Sequence, residues 1–282
     1  MIVDSHQHFW DPERGHYPWM TGPLEVIRRR FEPADLAPSL RECDVDLTVL
    51  VQTWSSLDET RDFLRLAAST DFVAGVVGWV DLTDPGVDKV IGELRLSEHG
   101  ALLVGLRHQV HDEEDPGWVL RPDVERGIAA VGKAGLVYDL LVRSRELPAA
   151  LELVSRHPDM TFVIDHIAKP DIAQGGTAGW ADLMEPFGEH ANVHCKLSGM
   201  VTEAGWSTWR PEDLEPYVRQ VLDWFGARRV MFGSDWPVCL LAGSYRRVFD
   251  ALQYCIRRLP ASDRERVMGH NAVEIYHLES RR

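Results

Sequence analysis

Eight short apolar runs recur along the chain: Ile2–Ser5, Leu47–Gln52, Phe72–Val80, Leu102–Arg107, Leu136–Leu141, Thr161–Asp165, Val193–Leu197 and Arg229–Gly233. Each is rich in Val, Ile, Leu or Phe and short enough for a strand buried on both faces. The stretches between them carry helical patterns. In Glu59–Ala68, Phe63, Leu64, Leu66 and Ala67 share one side, while Asp58, Arg61 and Asp62 lie elsewhere. Leu147–Arg156 and Leu214–Phe225 read the same way. Strand alternating with helix implies βα units. Eight units in 282 residues fit one α/β domain, a (β/α)8 TIM barrel spanning residues 1–282, since such barrels need about 250 residues. A doubly wound open sheet would require a glycine-rich turn after the first strand. His6-Gln7-His8-Phe9-Trp10 stands there instead.

No internal repeat, low-complexity segment or linker interrupts the pattern. The first connection, Asp11–Asp35, is long and rich in proline and aromatic residues (Pro12, Tyr17, Pro18, Trp19, Pro23, Phe31, Pro33). It is expected to fold over the barrel mouth as a partial lid, the alternative being a packed surface loop.

Composition narrows the partners. Apolar residues make up 45% of the chain, with 10 Trp, enough for a large core and unlike a disordered segment. The net charge of −14 argues against nucleic acid or an anionic membrane. The chain starts as an acidic, histidine-bearing strand rather than a basic segment followed by an apolar run, and no apolar stretch approaches the ~20 residues of a membrane span. A cytoplasmic protein with a small-molecule substrate is expected. Cys43, Cys195, Cys239 and Cys255 lack CxxC spacing and read as reduced thiols rather than a zinc cluster. Oligomeric state is not legible, because interface strips look like the barrel's own helix packing.

Barrel chemistry sits at the C-terminal ends of the strands. Those ends carry His6 and His8; Gln52 and Trp54; Trp79 and Asp81; Arg107 and His108; Tyr138 and Asp139; Asp165-His166-Ile167-Ala168-Lys169-Pro170; Lys196-Leu197-Ser198-Gly199; and Gly233-Ser234-Asp235-Trp236-Pro237. His6 and His8, two apart on a strand, project to the same side. Charged groups at the ends of buried strands are costly unless paired or used.

Six ordered segments then resemble the sugar-lactonase branch of the amidohydrolase superfamily, to which L-fuconolactonases and L-rhamnonolactonases belong. They are Asp4-Ser5-His6-Gln7-His8-Phe9-Trp10, Gly75-Val76-Val77-Gly78-Trp79-Val80-Asp81, Gly105-Leu106-Arg107-His108, Asp165-His166-Ile167-Ala168-Lys169-Pro170, Cys195-Lys196-Leu197-Ser198-Gly199 and Met231-Phe232-Gly233-Ser234-Asp235-Trp236-Pro237. The similarity runs from Met1 to about Tyr276. It implies a hydrolase that opens an L-fucono- or L-rhamnono-type lactone to the aldonic acid. Many members hold two metals through a further lysine or glutamate after strand four and a histidine after strand five. Here Arg107-His108 and Tyr138-Asp139 occupy those places, so a binuclear site is not expected. His6, His8, His166 and Asp235 could hold one divalent ion, zinc by their donor type, or work without metal.

In this scheme Asp235 is the base that activates water, its basicity raised by a dry pocket beside Trp236 and Pro237. His6, His8 and His166 polarise the carbonyl or hold the ion. Arg107, His108 and Lys196 contact the carbonyl or ring hydroxyls, and Trp54, Trp79 and Trp236 shape the sugar site. Each has a plainer alternative. Asp235 could cap the following helix, and His166 could be a core histidine. Arg107 and Lys196 could pair with Asp4, Asp81 or Asp139, and the tryptophans could be core. Asp4 is expected to face the same way as His6 and His8 and to orient one of them. His194 and His270 read as structural. Rival activities are a pyrone or muconolactone lactonase, which would want several pocket arginines where the strand ends offer only Arg107, a metal-dependent decarboxylase, and a barrel that binds without catalysis.

Overall fold

In the computed structural model, which describes residues 1–279, all eight runs are strands of one parallel sheet. They are β1 (Val3–Gln7), β2 (Leu47–Val51), β3 (Val73–Gly78), β4 (Leu103–His108), β5 (Val137–Leu140), β6 (Phe162–Ile164), β7 (Val193–Leu197) and β8 (Val230–Phe232), each bonded to the next. The ring closes beyond β8, where the His8 N–H donates to the Trp236 carbonyl at 2.7 Å and the Asp235 N–H to the His6 carbonyl at 2.8 Å. This is a single-domain TIM barrel.

Helices α1 (Pro33–Glu42), α2 (Leu57–Ala68), α3 (Val87–Leu96), α4 (Pro122–Lys133), α5 (Leu147–Arg156), α6 (Ala178–Met184), α7 (Pro211–Phe225) and α8 (Tyr245–Cys255) follow the strands in turn. Their starts are chemically marked. Ser56 accepts the Glu59 N–H at the head of α2, and Ser244 the Arg247 N–H at the head of α8. Pro33 opens α1, so the helix takes in the last three residues of the segment expected as the first connection. The rest of that connection is tied down: Trp10 and Phe31 exchange backbone hydrogen bonds of 3.2 and 2.9 Å, and Trp10 Nε1 donates to the Ile27 carbonyl.

The core has two layers. The larger lies between strands and helices. The smaller fills the barrel with Val3, Leu47, Val49, Val51, Val77, Val137, Val163 and Met231, and is plugged by Ala272, Ile275, Tyr276 and Leu278 of the C-terminal tail. Each such buried aliphatic side chain stabilises the fold by about 1.5–3 kcal/mol.

β1 departs from simple alternation. Asp4 is opposite Thr48 but Gln7 opposite Leu50, so β1 holds one extra residue between them. Val3 therefore faces the barrel interior, and after the bulge so do His6 and His8. Asp4 turns the other way, its Oδ2 accepting from the Tyr245 hydroxyl on α8 at 3.0 Å. The expectation that Asp4 shares a face with His6 and His8 is corrected by this bulge.

Candidate active site

Matched registers put Arg107 of β4 beside Asp139 of β5, and Lys196 of β7 beside Met231 of β8, all pointing at the barrel axis. With Asp165 after β6 they form a buried ionic layer. Lys196 Nζ lies 2.5 Å from Asp139 Oδ2, 3.0 Å from Asp165 Oδ1 and 3.3 Å from His6 Nδ1. Arg107 Nη1 donates to Asp165 Oδ2 at 2.8 Å, and its Nε donates to Gln52 Oε1 at 2.9 Å. The Tyr276 hydroxyl donates to Asp139 at 2.8 Å from below. Burial pushes the Asp139 carboxyl up to about 6 against the pull of Lys196. For Asp165 burial is outweighed by Lys196, His6 and Arg107, which hold it well below the ordinary aspartate value.

Above this layer four groups converge. His6 Nε2 is 3.2 Å from His8 Nε2 and 3.9 Å from Asp235 Oδ1. Asp235 Oδ1 is 3.3 Å from His8 Nε2 and 3.9 Å from His166 Nε2. His8 Nδ1 donates to the Val51 carbonyl at 2.7 Å, which leaves its Nε2 lone pair facing the cluster. His166 Nδ1 is held by Ser198 Oγ at 2.9 Å.

Neighbours on a strand face opposite ways, yet Asp165 and His166 both face the axis. The cause is a run of four non-glycine residues in the left-handed region, His166, Ile167, Ala168 and Lys169, with φ of 55°, 48°, 59° and 49°. Such residues cost roughly 1–2 kcal/mol each and persist only where the surroundings over-determine them. Here the Trp180 indole donates to the Ile167 carbonyl at 2.7 Å, and His166, Ile167 and Ala168 are buried. Asp235 is also left-handed, at φ 57°. Gly199 makes room: a Cβ there would lie 2.5 Å from His166 Nδ1.

Electrostatics favour a donor set. Burial drives the imidazoles of His6 and His166 well below the ordinary histidine value, so both offer neutral lone pairs near pH 7. Burial would also raise Asp235, but the neighbouring His166 and His8, which crowd its Oδ1, outweigh it and hold its carboxyl below the usual value. The expected upward shift from Trp236 and Pro237 is thus reversed; Asp235 is ionised. Nor does it cap a helix, since the turn Val238–Leu241 has no side-chain cap bond. The separations of 3.2–3.9 Å among His6, His8 and Asp235 suit a tetrahedral ion, whose ligands at 2.0–2.1 Å stand about 3.3 Å apart. His6, Asp165 and His166 form a second such group.

The amidohydrolase family model matches residues 3–278. The chain belongs to this family. It is 42% identical over 283 residues to an L-fucono-1,5-lactonase of Burkholderia ambifaria, covering 98% of this chain and 96% of that one. An L-fucono-1,5-lactonase of Burkholderia multivorans is 38% identical with the same coverage. The crystal structure of an amidohydrolase from Burkholderia multivorans with bound zinc superposes with a TM-score of 0.94 at 36% identity, over 99% of this chain and all of that one.

The site of this amidohydrolase opens into a cavity of about 460 Å³. His8, His166, Asp235 and Arg107 line it, joined by Trp10, Trp19 and Leu24 from the first connection and its approach. The other residues expected at the substrate do not reach its wall. Lys196 is sealed within the ionic layer beneath, paired with Asp139 as the plainer alternative had it. Trp79 Nε1 donates to His108 Nδ1 at 3.0 Å, and His108 stacks on Trp118 with ring centroids 4.1 Å apart, so this pair packs outside the cavity. Trp236 is buried edge-on against Phe9 and Phe31. Trp54 lies beside Tyr17 in a neighbouring cleft. Arg107 pairs with Asp165 rather than Asp4, Asp81 or Asp139. Wall residues such as His111, Arg143, Thr202 and Glu203 escaped the strand-end reading because the segments after the strands supply them. Asp4 positions backbone, accepting the N–H groups of His6 and Ser234 at 3.1 and 2.8 Å. All four cysteines are buried and free, and no described helix is long and apolar enough to cross a membrane.

Proposed function

We propose that this amidohydrolase opens a neutral sugar lactone of the L-fucono-1,5-lactone class to its aldonic acid. One observation carries the reading: a cavity sized for a single sugar ring ends on His8, His166 and an ionised Asp235, with its cations matched by carboxylates. Arg107 is paired with Asp165, and Arg143 and Lys169 are both paired with Glu203. The likeness to the two L-fucono-1,5-lactonases supports the substrate class.

Water adds across the bond between the carbonyl carbon and the ring oxygen, leaving a carboxylic acid and a hydroxyl. Asp235 accepts the proton of that water, and His166 and His8 beside it orient the water and carbonyl. Arg107 presents fixed positive charge to the developing oxyanion. His6, His8 and Asp235, with His166 adjoining, are the residues that would hold a zinc ion. When bound, zinc polarises the carbonyl and lowers the pKa of water. His111 is suited to read a ring hydroxyl: its buried Nδ1 has no partner among the described residues, and burial followed by the charges of Lys169, Arg143 and Arg107 lowers its pKa to about 3. The segment 11–35, which contributes Trp19 and Leu24 to the wall, acts as a partial lid.

A pH-indicator assay over a panel of sugar lactones tests this. Acid release from L-fucono-1,5-lactone or a close relative supports it; inertness toward every lactone overturns it.

A further inference from the structure

The three cations on the cavity wall are not equivalent. Arg107 is committed to Asp165 in the layer below. Lys169 and Arg143 instead share one carboxylate: Lys169 Nζ is 3.3 Å from Glu203 Oε1, and Arg143 Nη1 is 3.4 Å from Glu203 Oε2. Glu203 thus stands as a wedge between two cations carried on loops after different strands. Its place is fixed by backbone, its N–H donating to the Met200 carbonyl at 3.2 Å and its carbonyl accepting the Ala173 N–H at 2.9 Å. Lys169 is fixed as well, as the last residue of the left-handed run. Glu203 and Lys169 are mostly shielded from solvent, with side-chain exposures of 15% and 17%.

From this we infer that Glu203 is a specificity-determining residue that closes the cavity to anionic lactones. Without its charge, Lys169 and Arg143 would form a bidentate cationic wall opposite the His–Asp cluster, well suited to a substrate carboxylate. With it, both cations are satisfied and a carboxylate brought to the wall meets Glu203 at close range in a partly dry site, where like charges are costly. Neutral hydroxyls suffer no such penalty and can donate to the same Glu203 oxygens.

The inference rests on the neutral-lactone reading of the cavity, and the test separates the two. Isophthalate, a planar dicarboxylate that does not chelate, serves as the anionic probe, and L-fucose as the neutral one. Affinities of both are measured by calorimetry for the wild type, Glu203→Gln and Glu203→Asp. The expected result is isophthalate binding at least about tenfold tighter in Glu203→Gln, equivalent to ~1.4 kcal/mol. Glu203→Asp, which keeps the charge, should not gain, and the gain should shrink at high salt. A general loosening of the loop would move both variants alike. Glu203→Ala removes the same charge should the glutamine variant fail to fold. Unchanged isophthalate affinity in folded Glu203→Gln and Glu203→Ala, or an equal gain in Glu203→Asp, overturns the inference. Failure of the neutral-lactone reading shows separately, as wild-type inertness toward every neutral lactone.

Discussion

Lys196 and Asp139 face each other across the barrel interior with Nζ and Oδ2 2.5 Å apart, and neither side chain touches solvent. The same ammonium also serves Asp165, so its removal leaves Asp139 without a cation and Asp165 with Arg107 alone. Lys196→Met should lower stability by about 3–5 kcal/mol, the usual cost of breaking a buried pair by deleting one partner. Urea unfolding measures it; a loss under ~1 kcal/mol would show that the ionic layer does not hold the barrel together.

Gly199 and Gly135 both have positive φ, 62° and 69°, but only Gly199 adjoins the site. Alanine at either position should cost stability by roughly 1–2 kcal/mol through backbone strain. Gly199→Ala should also displace His166 and depress turnover, while Gly135→Ala, with open space around its Cβ, should leave turnover intact. Equal activity of the two variants would contradict the role given to His166.

Glu59 on α2 accepts the N–H of Thr53 at 2.9 Å and also bonds the Thr53 hydroxyl, and burial raises its carboxyl to about 7. Between the unfolded value near 4.5 and about 7, the folded chain retains a proton that the unfolded chain has lost. Glu59 therefore makes stability decline as pH rises through that window, by about 1.4 kcal/mol per unit. Buried histidines titrate in overlapping ranges with the opposite sign, so the difference between wild type and Glu59→Gln is the informative quantity. Relative to wild type, the variant should gain stability from pH 4.5 to 7 and level off above. A pH-independent difference would mean that Glu59 keeps an ordinary pKa.

Zinc alone, titrated into chelator-treated protein in a calorimeter, should bind at one equivalent per chain. His8→Ala removes a donor from the 3.2–3.9 Å triangle and should weaken binding at least about tenfold. Undiminished zinc affinity in the variant would place the ion elsewhere.

The strands were legible because a strand buried on both faces is a continuous apolar run, and the polar residues ending those runs marked the site. His6, His8, His166 and Asp235 were found that way, and they do converge. What escaped depends on single-residue backbone events with no periodic signature. The bulge in β1 turned Asp4 outward, and the left-handed run at 166–169 brought Asp165 and His166 to the same side. Arg143 and Glu203 stand on loops that only the closed barrel brings together. The tryptophans misled because a large aromatic at a strand end serves the core as readily as a ligand.

The most direct test is acid release from saturating L-fucono-1,5-lactone by the wild type and Asp235→Asn, side by side. The expected result is wild-type turnover and a fall in kcat of at least about 10²-fold in a folded variant that still binds L-fucose. Turnover near the wild-type rate in Asp235→Asn would contradict the assignment of Asp235 as the base.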